Sequence, residues 1–196
     1  MKKLVLIMMA VVIIVTSFAQ EKRYGIESAI LKKKSVIKRD MMEQIITSTH
    51  YIADYGMKES IEIVMNMQGT EVLVFSVMKD GYMYNSNMTT KQGTKTMIDS
   101  NQTVNYLNLT DEAKKKHQLE ENGNEQFLGK DCKKYILNVT TQGQTVQVTM
   151  LIWQGIVLKA TMNMSGNTTI EEVTEIQEGV NIQREKFELP QGINFI

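Results

Sequence analysis

The chain has 196 residues, with 22 Lys and Arg against 22 Asp and Glu, two His, one Cys, one Pro, 12 Gly and 15 Met. Its length suffices for one or two domains with a true core, and 42% hydrophobic with 22% charged residues excludes a wholly disordered chain. A lone Cys excludes an intrachain disulfide scaffold and a Cys-rich zinc site, and zero net charge argues against a nucleic-acid partner held through phosphate contacts.

Lys2 and Lys3, the unbroken apolar run Leu4 to Val15 and the small residues Ser17 and Ala19 have the layout of a cleavable secretory signal over residues 1–19, cut after Ala19. The run is shorter than the roughly 20 residues a membrane span needs. No later segment is apolar enough to cross, so no stable membrane span is expected; an uncleaved N-terminal anchor is the alternative. No Cys follows the cut to carry a lipid. Residues 20–196 then read as one mature domain, exported to the periplasm or secreted, with 20 basic against 22 acidic residues. In an oxidising compartment Cys132 is an odd thiol. It is either buried and inert at a strand start, with Asp131 and Lys133 pointing away, or the link of a sulfur-bridged dimer.

The mature chain alternates as strands do. Residues 24–37 read as a first strand, and the Lys32-Lys33-Lys34 run with Lys38 and Arg39 as its solvated end rather than a membrane-binding patch. Ile45, Thr47, Thr49, Tyr51, Ala53 and Tyr55 suggest a second. Ile61, Ile63, Met65 and Met67 share one face opposite Glu62 and Asn66, and Val72 to Met78 is apolar on both faces apart from Ser76. Asp80-Gly81 is a strong two-residue hairpin signal. A helix is expected from Asp111 to about Glu121, with Thr110 as N-cap, acidic residues in its first turn and Asn122-Gly123-Asn124 ending it. Its apolar content is thin, which suits a lid or partial plug. Tyr135, Leu137 and Val139, then Val146, Val148, Met150 and Ile152, then Leu158, Ala160, Met162 and Met164 alternate with polar neighbours. Gln142-Gly143-Gln144 and Ser165-Gly166-Asn167 are turn-like. Glycines recur every eleven to thirteen residues over 69–93 and 143–192, the punctuation of an antiparallel meander.

Catalysis has little support: there is no G-x-S-x-G, H-E-x-x-H, G-x-G-x-x-G or Walker loop. The expectation is a non-enzyme with no catalytic residue, no metal site and no cofactor, and with His50 and His117 solvated or locally hydrogen-bonded. Methionine is the anomaly. It can simply fill a core, or make a pliable apolar cavity, or bind Cu(I) through pairs such as Met65-x-Met67 and Met162-x-Met164. The candidate lining of a cavity is Ile61, Ile63, Met65, Met67, Val148, Met150, Ile152, Leu158, Met162 and Met164.

The stretch Phe127-Leu128-Gly129-Lys130-Asp131-Cys132-Lys133-Lys134-Tyr135, with Trp153-Gln154-Gly155-Ile156-Val157-Leu158-Lys159 and Phe187-Glu188-Leu189-Pro190, resembles secreted bacterial proteins related to the outer-membrane lipoprotein-sorting carriers of the LolA/LolB type. Tyr24-Gly25-Ile26-Glu27-Ser28 and Asp54-Tyr55-Gly56 fit the same group. The resemblance implies a mainly β fold: a curved antiparallel sheet, a half-barrel of about eleven strands around one or two short helices, with a hydrophobic cavity on its concave side. Such carriers hold lipoprotein acyl chains there. They often begin with a mature helix, whereas this chain begins with a strand, and no individual carrier residue maps onto it. The functional expectation is a binding protein for an apolar ligand such as a lipid or acyl chain, gated by residues 109–124. A cell-envelope structural or protein-interaction module is the alternative, and a Met-based Cu(I) binder a further one.

Overall fold

The computed structural model describes residues 22–39, 42–67, 69–99, 104–141, 144–164 and 167–196. The export signal read over 1–19 and the turns at Gln142-Gly143 and Ser165-Gly166 lie outside these residues. Alternating sequence becomes strand almost throughout: β1 Ala29–Arg39, β2 Met42–Ala53, β3 Lys58–Met67, β4 Thr70–Lys79, β5 Tyr82–Asn87, β6 Gln92–Met97, β7 Leu119–Phe127, β8 Lys130–Thr141, β9 Gln144–Trp153, β10 Ile156–Met164, β11 Asn167–Glu178 and β12 Asn194–Phe195. They form one open curved sheet in the order β12-β6-β5-β4-β3-β2-β1-β11-β10-β9-β8-β7. Two meanders, β1–β6 and β7–β11, therefore stand side by side, joined where β1 pairs with β11. Every pairing is antiparallel except that of β12 with β6. The expected mainly β curved sheet is thus present, with twelve strands and one short α-helix, α1 Asp111–Lys116, among the described residues.

Three hairpins turn on pairs with positive φ at both central residues: Asp80-Gly81, Leu128-Gly129 and Gln154-Gly155. This is the backbone of a type I′ turn, whose twist matches that of the strands it joins. Gly155 does more than turn. A Cβ there would lie 2.6 Å from the Arg23 carbonyl oxygen and 3.1 Å from Leu107, because residues 23–25 and 107 close onto this hairpin.

Two expectations are corrected. The helix ends at Lys116, with Thr110 capping it as expected and accepting from the Ala113 amide. Gln118 then takes a positive φ, and residues 119–127 form edge strand β7 on β8, with a bulge between Glu121 and Asn124 that absorbs Gly123. A lid over 109–124 is therefore cut to its first half. Secondly, β1 begins at Ala29; residues 22–28 run as an irregular segment along the sheet's end, where Arg23 and Tyr24 donate to the Tyr55 carbonyl and Gly25 to that of Gln154.

Three clusters carry the packing. The first gathers Tyr24, Ala29, Leu31, Ile52, Cys132, Leu151, Ile156, Leu158 and Val173. The second joins Val104 and Leu119 to Tyr135, Met150 and Ile152. In the third, Leu189 and Phe195 of the C-terminal segment cover Phe75, Val77 and Tyr84.

Gly155→Ala forces a left-handed residue against a backbone oxygen. It is expected to cost about 3 kcal/mol or more in urea unfolding, against about 1 kcal/mol for Gly129→Ala, whose Cβ meets open space.

Candidate functional site

Directly paired residues of neighbouring strands lie on the same side of a sheet. Followed across the register, Val72, Met65, Ile46, Ser35, Glu171, Ala160, Met150 and Tyr135 make one continuous row. Val74, Ile63, Ser48, Lys33 and Val173 make the next row, on the same face. On the other side of the first row lie Ile37, Thr169, Met162, Val148 and Leu137. This front face therefore carries Ile61, Ile63 and Met65 at one wing and Val148, Met150, Ile152 and Met162 at the other.

The two wings are covered differently. Over β8–β10, Val104, Tyr106, Leu109 and Leu119 pack down on Met150, Ile152 and Tyr135. Met150 has no exposed surface, and the Tyr106 hydroxyl donates to its Sδ at 3.7 Å. Burial pushes the Tyr106 phenol well up. Leu158 stands at the bulge where β10 slips against β9, and it is buried in the first cluster instead. Met150 and Leu158 are thus interior residues of filled cores. By contrast Ile37, Ile46, Met65, Val72 and Met162 are half-buried and belong to none of the three clusters. Ile61 is also half-buried, and Ile63 is buried. Met67 and Met164 end β3 and β10, and their side chains lie outside the described ones. The Cu(I) reading pairs Met65 with Met67 and Met162 with Met164, and the second member of each pair is among these undescribed side chains.

At the covered wing a hollow of about 540 Å³ opens between residues 106–109, α1 and the hairpin ends at 129–131 and 153–155. Tyr106, Leu109, Tyr135, Ile152 and Trp153 line it, with Lys114, Lys130 and Lys133 at the rim. Of the expected lining residues whose side chains are described, Ile152 alone faces it. The rim is not a bare cationic ring. Lys114 pairs with Asp111 and Glu121, Lys133 with Glu121, and Lys130 with Glu178 while lying over the Trp153 ring.

Sequence reading missed a buried ionic cluster. Arg23, His50 and Glu59 are each at most 6% exposed. The Arg23 guanidinium lies 2.8 Å from Glu59 Oε1 and donates to the Gly56 carbonyl at 2.9 Å, and His50 Nε2 lies 2.9 Å from Glu59 Oε2. Burial opposes ionisation of Glu59, yet the charge of Arg23 and the hydrogen bond from His50 hold its carboxyl below the usual range. Burial likewise holds His50 below its usual range, outweighing the pull of Glu59. The three come from an irregular segment and two strands, and no spacing in the sequence announces them. Cys132 is 1% exposed and its thiol is pushed up by burial, so it is the inert thiol of the two alternatives rather than one presented for bridging.

No protein-family model and no curated protein matches the sequence. Solved structures do match its backbone. An uncharacterized conserved protein from Thermus thermophilus aligns with a TM-score of 0.54 at 10% identity, over 85% of this chain and 89% of that one. A chain of the Pseudomonas aeruginosa MucA/MucB complex aligns with a TM-score of 0.50 at 13% identity, over 90% of this chain and 60% of that one. A putative outer membrane lipoprotein-sorting protein domain from Vibrio parahaemolyticus aligns with a TM-score of 0.40 at 10% identity, over 86% and 92%. At these identities the likeness is one of fold. Among the described residues no helix is long and apolar enough to cross a membrane.

Both His50 and Glu59 bind fewer protons folded than unfolded, so their contribution to stability is complete above the unfolded His value of about 6.5 and falls as the pH drops. The urea midpoint is expected to decline as the pH falls from 7.5 to about 3, first through His50 below about pH 6.5 and then through Glu59 below about pH 4.5. His50→Gln should flatten the upper part of that decline and leave the part below about pH 4.5. Arg23→Met, which strands the buried Glu59 charge, should cost about 3–5 kcal/mol at pH 7.5.

Proposed function

We propose that this is an exported, non-enzymatic binding protein that holds a lipid or acyl chain against the uncovered half of the front face. One observation carries the reading: Ile37, Ile46, Met65, Val72 and Met162 stand in adjacent register rows, half-exposed and outside every packed cluster. Each methylene that such a surface takes out of water contributes about 0.8 kcal/mol, and flexible methionines adapt to chains of different shape. The sequence resemblance to the lipoprotein-sorting carriers is consistent with this role. A protein partner is the second reading. It is favoured by Ile45 and Leu73, 46% and 38% exposed on the opposite face, where they pair with Val36 and Val64.

A fluorescent hydrocarbon probe tests the first reading. The full chain should bind it saturably, Met65→Lys should weaken it about tenfold through lost apolar contact, and Ile45→Lys on the opposite face should leave it unchanged. Equal affinity in all three proteins, or no saturable binding, overturns the assignment. Capture of an envelope protein that Ile45→Lys abolishes would establish the second reading.

A further inference from the structure

The front face is not apolar all the way across. At its centre, where the two meanders meet, Lys33, Ser35 and Glu171 interrupt the rows. Lys33 Nζ lies 3.3 Å from Glu171 Oε1, and the Ser35 hydroxyl donates to Glu171 Oε2 at 3.4 Å. The Lys33 and Glu171 side chains are 14% and 21% exposed, so the pair is largely withdrawn from water yet still reachable. From Ser35 and Glu171 the row continues through Ile46 to Met65 on one side and through Ala160 to Met150 on the other.

The contacts are long for charge-assisted hydrogen bonds, which run nearer 2.7–2.9 Å. An ammonium has three donors and a carboxylate about four acceptor sites, so both groups keep capacity for a guest. A plain hydrocarbon laid over them would strip water from two charges and return nothing, which is a net cost. A guest with a polar group at this point would replace that water.

Resting on the lipid-binding reading above, we propose that the ligand is an amphiphile with an uncharged head group presenting both an acceptor and a donor, as in a monoacylglycerol, and that Lys33, Ser35 and Glu171 form its head-group subsite. Lys33 donates to the ester carbonyl, and Glu171 accepts from a glycerol hydroxyl. The pair carries no net charge, so it does not favour an anion: a carboxylate attracted by Lys33 is repelled by Glu171. The acyl chain then runs from this centre over Ile46, Met65 and Val72.

The test compares 1-monolauroylglycerol with laurate, both below their micelle-forming concentrations, as competitors of the hydrocarbon probe. Wild-type protein should prefer the monoacylglycerol by about tenfold, the scale of one hydrogen bond to a charged group. In Lys33→Met/Glu171→Leu that preference should vanish while the hydrocarbon probe binds as before or tighter. Glu171→Gln, which leaves Lys33 uncompensated, should invert the preference toward laurate, and it serves alone if the double variant does not fold. Equal wild-type affinity for the two lipids, or a preference that both variants keep, overturns the head-group assignment. Failure of the wild type to bind the hydrocarbon probe at all overturns the lipid-binding reading instead.

Discussion

A sheet has two faces, and among the described residues there are three short segments with which to cover them. About two thirds of the described residues are strand, in a single open layer. Residues 22–28 close one end of the sheet, 104–118 lie over the β8–β10 wing, and the C-terminal segment packs on the far side of β3–β5. Apolar strand faces must be buried against something, and the covering segments reach only part of what the strands present. The half-exposed rows around Met65 and Met162 follow from that shortage. They leave part of the front face outside any closed core.

The covered part is held by means that a purely apolar packing would not need. Arg23, from the irregular segment, reaches between β2 and β3 to meet Glu59 and His50. A buried ionic cluster adds little net stability compared with apolar packing, yet it is costly to break, since each survivor is then left charged and buried. Its position ties the chain's entry to the same sheet end that Gly155 and Leu107 close from the other side. The front face of β1–β3 is thereby fixed as a platform, while the cover over residues 104–118 rests on side-chain packing and the short helix α1. The hollow, with its matched lysine and acidic rim, lies under that cover.

Much of the fold was legible because the apolar residues alternate so regularly. The β3, β9 and β10 faces and the Asp80-Gly81 hairpin could be read from period two and from one dipeptide with a known backbone preference. What was not legible has physical causes. Residues 120–126 carry no alternation, since an edge strand with both faces wet needs none, and their acidic and amide side chains imitate a helix tail. Strand β12 is two residues long and pairs with Gln92 and Gly93, a contact that only the tertiary fold creates. The bulge at Leu158 sends that side chain into a different cluster from Ala160, so strict alternation overstates what β10 contributes to the front face. The same limit applies to the site. Sequence placed Met65, Met150 and Met162 on apolar strand faces but could not say that Met150 is sealed under Tyr106 while Met65 is not. Nor could it show that Lys33 and Glu171 meet across β1 and β11.

The role proposed for this face requires a guest in the uncovered rows. Native mass spectrometry of the full chain purified from its own host, without detergent, addresses this most directly. The expected result is a population carrying additional mass of several hundred daltons that organic solvent releases as a lipid, with the hydrocarbon probe binding only after that release. A bare polypeptide mass in repeated preparations, with probe binding no greater after solvent extraction than before, would contradict it.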